Sequence, residues 1–337
     1  RPRLVEAVSG LVIEESSRGR LFLVDRTGSG KSLVLFLTAA AVGGVTLVLV
    51  PLLSLTAAQL AKLHAAAQRF GTVNAVHLDE LSQEELASTV LPRMEAIGYE
   101  SSESLVLLCS PQQLSSSPAL LAALLRCRDR QTLRLIVVDE AHLYTMHDAT
   151  FRDPIHIVRN EFFHKLYGVV VLFAPLLLAM TATMPASLLE PFSKLTHVDF
   201  TLPCHQLWAS ARDFQQRNIR MDLCTKGNAS LKESALRPVA DLLREDSSAH
   251  VCVFVNFRTE VGKISGALED MLAQDLLRVG VLSINGAMDK NEKFAFIRLF
   301  TSVLRVEGHT FRVLVATAAA NTGIDQPRCV YVLRVGI

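Results

Sequence analysis

The chain has 337 residues, half of them hydrophobic, with 34 Lys and Arg against 33 Asp and Glu and a formal net charge of +1. That length carries two ordinary domains, and that charge excludes a uniformly basic nucleic-acid wrapper, so any groove for a polyanion has to be local. Six scattered cysteines (Cys109, Cys127, Cys204, Cys224, Cys252, Cys329) contain no Cys-x-x-Cys pair and offer no zinc site, so they read as reduced thiols of an intracellular protein.

A first helical segment from Arg1 leads into Leu21-Phe-Leu-Val-Asp-Arg-Thr-Gly-Ser-Gly-Lys-Ser32, an apolar run that breaks into a glycine-rich loop before uncharged, helix-like sequence. A strand–loop–helix of this kind points backbone N–H groups from Thr27, Gly28, Ser29 and Gly30 at a phosphate. Lys31 then reaches the β- and γ-phosphates, and the Ser32 hydroxyl holds Mg²⁺. The first position of the eight-residue pattern is Asp25 in place of a small residue. The segments Ser32 to Ala61 and Leu166 to Leu189 carry no charge and are long enough to span a bilayer. Gly43-Gly44 and Pro51 split the first into a helix and a strand, and Pro175 with Thr181-Ala-Thr-Met-Pro185 interrupts the second. Both read as buried α/β core.

Strands follow near Val45, Val73 and Ser104, with helical stretches over Ala57 to Phe70 and Glu84 to Tyr99. Leu133-Arg-Leu-Ile-Val-Val then ends on Asp139-Glu140-Ala-His142. Carboxylates at the end of a buried strand sit where open α/β sheets place their chemistry. Asp139 completes the Mg²⁺ site and Glu140 deprotonates the attacking water. The plainer alternative, a solvated acidic pair opening a surface helix, loses ground because a phosphate loop lies upstream. The regular pattern lapses around Pro203 to Asp213, which reads as a linker. Strands near Val251, Val279 and Phe311 then repeat the β/α rhythm. Two tandem α/β domains with parallel sheets are expected, 1–205 and 206–337, the second incomplete at its C-terminus.

The ordered set Thr-Gly-Ser-Gly-Lys-Ser, Pro51-Leu-Leu-Ser-Leu55, Ser110-Pro111, Asp-Glu-Ala-His, Thr181-Ala-Thr183, Val-Asn256-Phe-Arg258 and Ala316-Thr-Ala-Ala-Ala-Asn-Thr-Gly-Ile-Asp325 resembles a superfamily 2 helicase, and within it the RecQ-like family. Asp139 to Phe151-Arg152 has the length and ending of that family's aromatic-rich loop. The resemblance implies two RecA-like domains gripping ATP and Mg²⁺ in their cleft. It also implies a 3′→5′ motor on single-stranded and duplex DNA, of the kind used in repair and recombination, with no membrane partner. Localisation follows as intracellular, nuclear in a eukaryote and otherwise cytoplasmic. By matched position, Lys31, Asp139, Glu140 and His142 serve hydrolysis, and Thr181 and Thr183 couple it to motion. Pro51, Ser54, Ser110, Pro111, Phe151, Arg152, Asn256, Arg258 and Thr317 face nucleic acid, and Asp325 faces the nucleotide.

The sequence departs from that family in places. No glutamine precedes Gln59, so the adenine-reading position near Leu4 is unfilled; His147 and Ala149 replace family residues in the aromatic loop. The family's Gln…Gly-Arg-x-Gly-Arg segment does not follow Cys329 to Ile337. The expectation is a piece of a longer helicase, weak in hydrolysis without those arginines. Another superfamily 2 motor acting on RNA or translocating on duplex, and a catalytically silent nucleic-acid-binding module, remain the alternatives.

Overall fold

The computed structural model describes residues 2–12, 19–26, 28–50, 73–145, 152–170, 173–210, 235–275, 277–301, 305–306, 309–317 and 329–335. The chain divides into two compact units, Arg1–Asn218 and Ile219–Ile337.

In the first unit, α1 (Pro2–Val12) precedes β1 (Arg20–Val24), α2 (Lys31–Val42) and β2 (Gly44–Leu49). β3 (Val73–His77) leads to α3, built from Gln83–Glu85, a π turn Leu86–Val90 and Leu91–Ala96. Next come β4 (Ser104–Cys109), α4 (Pro111–Ser116), α5 (Pro118–Asp129) and β5 (Leu133–Val138). α6 (Arg152–Ile157) continues as a π-helical stretch, Val158–Gly168, followed by β6 (Leu176–Thr181), α7 (Leu189–Thr196) and β7 (Gln206–Trp208). All seven strands are parallel, in the order β3-β4-β2-β5-β6-β1-β7.

Burial on both faces explains why these strands are uninterrupted apolar runs. Every residue of β2 and β4 is buried. Along β1 the side chains alternate between two cores. Phe22 and Val24 join Phe162, Phe192 and Phe200 on one face, while Leu21 and Leu23 join Val34 and Phe36 of α2 on the other. Phe22 meets the Phe192 and Phe200 rings edge-on at 5.2 and 5.5 Å. Gly43 and Gly44, at φ 64° and 70°, make the tight turn from α2 into β2. A Cβ at Gly44 would lie 2.6 Å from the Thr132 carbonyl oxygen, so no other residue fits there.

The uncharged stretch after Ser32 accordingly becomes α2 and β2. The second uncharged stretch is less uniform: β6 is core, but Val169 and Val170 before it are exposed, at 47% and 104%. Among the described residues no helix is long and apolar enough to cross a membrane. The expected boundary at 205/206 moves later. Gln206–Trp208, assigned from sequence to a linker and the second domain, form a strand paired in parallel with β1, and the division falls after Asn218. Three residues are too few to show a hydrophobic period, so the strand is invisible without its partner.

The second unit contains α8 (Arg237–Glu245), β8 (His250–Val255), α9 (Arg258–Gln274), β9 (Val279–Ile284), α10 (Lys290–Thr301), β10 (Arg305–Val306), β11 (His309–Ala316) and β12 (Cys329–Val335). β8 lies between β12 and β11, and β9 pairs with β11, all parallel; β10 runs antiparallel to the start of β11. Val251, Val253, Val313 and Val315 build one core with α8 and α9, and Leu282, Leu314 and Phe300 build another with α10.

Candidate active site

β1 delivers the glycine-rich loop to the C-terminal rim of the first sheet. The Asp25 N–H donates to the Thr181 carbonyl at 3.2 Å, tying the start of the loop to the end of β6. Gly28 and Gly30 sit at φ 76° and 101°, in the left-handed region that glycine alone adopts freely, and α2 begins at Lys31 directly behind them. The N–H groups of that first turn lie at the positive end of the helix dipole. The Lys31 ammonium folds back on the loop, donating to the Asp25 and Arg26 carbonyls at 2.7 and 3.0 Å. Burial lowers the Lys31 pKa from its ordinary value, and the Glu140, Asp139 and Asp25 charges oppose that shift.

β5 brings the two acids to the same rim. Asp139 is buried, and its N–H donates to the Leu49 carbonyl at 3.0 Å; its carboxylate accepts the Glu140 N–H at 2.9 Å. Glu140 stands at φ 47°, ψ 47°, a left-handed conformation unusual for a residue with a Cβ. Burial raises the Glu140 carboxyl above the usual range, against the pull of Lys31 and the Thr181 hydroxyl. A carboxylate so raised is a better proton acceptor.

Thr181, at the end of β6, is fully buried and links these parts. Its Oγ1 lies 2.7 Å from His142 Nδ1, donates to the Thr183 carbonyl at 3.1 Å and accepts the Thr183 N–H at 3.2 Å. Burial lowers the His142 pKa, with Asp139 opposing, so the imidazole is neutral at neutral pH. The Thr181 hydroxyl is thus shared among the imidazole, the Thr183 turn and the Glu140 carboxylate. Glu140 Oε2 lies 3.4 Å from the same Nδ1. A continuous path Glu140–His142–Thr181–Thr183 thus runs from the acids of β5 to the turn after β6.

The donor set fits a magnesium nucleotide. A cradle of left-handed glycines, a helix N-terminus and a lysine satisfied by loop carbonyls faces two carboxylates. Ser29 Oγ is buried with no hydrogen-bond partner among the described residues. Among the described residues no group of three or more His, Cys, Asp and Glu is arranged to hold a metal ion.

The remaining expected residues are distributed as follows. Ser110 follows β4, but it is buried: its hydroxyl accepts the Gln113 N–H at 3.1 Å and donates to Asp79, whose carboxylate also accepts the Ser110 N–H at 2.8 Å. Pro111 is buried too. Ser110 therefore caps α4, and Asp79 holds the cap; sequence reading missed this because Asp79 looks like an ordinary turn acid. Burial works to raise the Asp79 carboxyl, and the nearby His77 imidazole, 3.6 Å away, together with the Ser110 hydrogen bonds outweighs it and holds it below the usual range. In the second unit Asn256 and Arg258 follow β8 and are exposed, and Thr317 follows β11 with its N–H donating to the Ile284 carbonyl at 3.2 Å. Because β8, β11 and β9 are parallel, those three residues share one rim. Arg152 is described only as the first residue of α6. Thr27, Pro51, Ser54, Phe151 and Asp325 lie outside the described residues.

The DEAD/DEAH box helicase family model matches residues 10–190, and that of the helicase conserved C-terminal domain matches residues 234–337. The putative ATP-dependent DNA helicase Q1 of Caenorhabditis briggsae is 24% identical over 335 residues, which is 99% of this chain and 48% of that relative. The chain thus spans about half the length of the relative it matches. The Mycobacterium smegmatis helicase Lhr, solved with ssDNA and AMP-PNP, aligns over 99% of this chain and 41% of its own at 18% identity, with a TM-score of 0.63. The DEAD-box helicase Mss116, solved with ssRNA and UDP-BeF, aligns over 100% of this chain and 64% of its own at 14% identity, with a TM-score of 0.67. These structural likenesses show a shared fold of two tandem RecA-like domains. The first family match takes in more than half of the chain and contains the glycine-rich loop, the paired acids and Thr181, so the chain belongs to the DEAD/DEAH box helicase family.

Proposed function

We propose that this chain is the motor core of a RecQ-like, ATP-dependent DNA helicase that couples ATP hydrolysis to 3′→5′ movement along DNA and strand separation. The observation that carries the reading is the convergence of Lys31, Asp139, Glu140 and the His142–Thr181 pair on one rim. In it, Thr27, Gly28, Ser29, Gly30 and Lys31 bind the phosphates, Ser32 and Asp139 hold Mg²⁺, and Asp325 contacts the nucleotide. Bound Mg²⁺ neutralises charge developing on the phosphate oxygens. Glu140 accepts the proton of the attacking water, and the Thr181–Thr183 turn passes the change at the acids onward through His142. Pro51, Ser54, Phe151, Arg152, Asn256, Arg258 and Thr317 contact the nucleic-acid backbone, where hydroxyls, amides and guanidiniums bind phosphate without reading sequence. The buried Ser110 and Pro111 act there by setting the direction of α4. Such a motor works inside the cell, in the nucleus of a eukaryote, on DNA under repair or recombination.

The name of the C. briggsae relative supports DNA as the track, while the shared fold leaves the polymer open, since Lhr was solved with ssDNA and Mss116 with ssRNA. The deciding experiment compares ATP turnover with single-stranded DNA and with RNA of the same sequence. The reading expects stimulation by DNA and none by RNA at equal concentration. Stimulation by RNA alone would replace it with an RNA motor, and equal indifference to both with a silent module.

A further inference from the structure

Asp25 opens the glycine-rich loop at the position where the eight-residue pattern takes a small residue. Its side chain is not turned out to water, since the residue is only 5% exposed. Three hydrogen bonds fix it there. Its N–H donates to the Thr181 carbonyl at 3.2 Å, its carbonyl accepts the Lys31 ammonium at 2.7 Å, and its Oδ1 accepts the Arg26 N–H at 2.8 Å. Because the ammonium is bonded to the main chain of Asp25 itself, the carboxylate of that residue is a close neighbour of Lys31. Arg26, next in the chain, is exposed, so water weakens its charge far more than it weakens that of Asp25.

Burial lowers the Lys31 pKa, and the charges of Glu140, Asp139 and Asp25 act together in the opposite direction. These acids come from two strands, Asp139 and Glu140 from the end of β5 and Asp25 from the end of β1, with β6 between them. In the reading proposed above, Asp139 holds Mg²⁺ and Glu140 takes a proton. Asp25 has neither task, and a buried carboxylate beside the lysine that receives the phosphates opposes their arrival. Coulomb repulsion grows in proportion to the charge brought in, about −3 for ADP and about −1 for its magnesium complex, so a fixed negative charge at the loop sorts the two.

We infer that Asp25 is a specificity determinant of the phosphate loop: its buried carboxylate turns away a metal-free nucleoside di- or triphosphate and admits the magnesium complex. This rests on the phosphate-loop reading proposed above.

The test titrates the 337-residue chain and its Asp25→Asn and Asp25→Glu variants with ADP by calorimetry, once in excess magnesium and once in EDTA. Asparagine keeps an oxygen for the Arg26 N–H while removing the charge, and glutamate keeps the charge. The expected result is that Asp25→Asn binds metal-free ADP about tenfold more tightly than the parent, and the magnesium complex only about twofold more tightly, as the two ligand charges require. Asp25→Glu keeps the parental preference for the magnesium complex. Thermal melting checks the fold of each variant, and Asp25→Ser, also neutral and able to accept the Arg26 N–H, replaces an Asn variant that does not fold. A folded neutral variant whose metal-free ADP affinity equals the parental value or falls below it overturns the inference. An equal gain with and without magnesium also overturns it, because Asp25 would then shape the loop and not sort ligands by charge. A parent chain that binds ADP under neither condition would sink the phosphate-loop reading, and this inference with it.

Discussion

Glu140 combines a left-handed backbone with a buried carboxylate, so replacing it should stabilise the protein while disabling it. At φ 47°, ψ 47° the Cβ crowds the backbone, at roughly 1–2 kcal/mol for a residue other than glycine. Glycine relieves that crowding but gives back roughly 0.5–1 kcal/mol in backbone freedom of the unfolded chain. The contact to His142, at 3.4 Å, is long and the imidazole neutral, and burial outweighs what Lys31 and the Thr181 hydroxyl give the carboxylate, so losing these contacts subtracts little. Glu140→Gly should therefore gain about 1 kcal/mol, or about 2–4 °C in Tm for a unit the size of Arg1–Asn218. Charge adds a pH-dependent part. Because burial raises this carboxyl, the folded state binds its proton more tightly than the unfolded state, and ionisation destabilises the fold as pH rises through the folded value. Glu140→Gln, which keeps the backbone strain, should melt higher than the parent at pH 8 and match it near pH 4. Glu140→Gly should melt higher at both. Calorimetry of the three nucleotide-free proteins at the two pH values decides it, and a Glu140→Gly protein that melts below the parent at both would refute the reasoning.

Thr181→Val preserves shape but removes the hydroxyl between His142 and Thr183. ATP turnover should fall about tenfold with ADP affinity unchanged, read by steady-state kinetics beside calorimetric binding. Gly30→Ala places a Cβ at φ 101° and should lose roughly 1–2 kcal/mol of stability, measured by urea unfolding, together with most nucleotide affinity. Asp79→Asn loosens the Ser110 cap and should lose about 1–2 kcal/mol at pH 7 in the same assay. Since the Asp79 carboxyl is held below its usual range, its contribution is present above about pH 4 and disappears as pH falls through the lower folded value, so the gap between parent and variant should close in acid.

Much of the fold and of the candidate site was legible in the sequence, because a phosphate loop and a strand-end acid pair are local patterns and buried parallel strands are plain apolar runs. The relation of His142 to Thr181 was not, since the two are brought together only by the pairing of β5 with β6. Resemblance named both residues, and the fold supplied the 2.7 Å contact. Ser110 was expected to face nucleic acid by its matched position in the family resemblance. Its hydroxyl bonds Gln113 and Asp79, and Asp79 comes from the turn just after β3, the strand that pairs with β4. Strand β7 was missed because three residues carry no period, and the left-handed turn of Glu140 because nothing in Asp-Glu-Ala-His announces a positive φ.

The most direct test of the account is the rate of ATP hydrolysis with and without single-stranded DNA in the parent, Lys31→Ala and Glu140→Gln proteins. The account predicts parental turnover that DNA raises several-fold and that both substitutions reduce to background, with ADP still bound by Glu140→Gln. A parental rate that DNA leaves unchanged, or that survives Lys31→Ala, would contradict it.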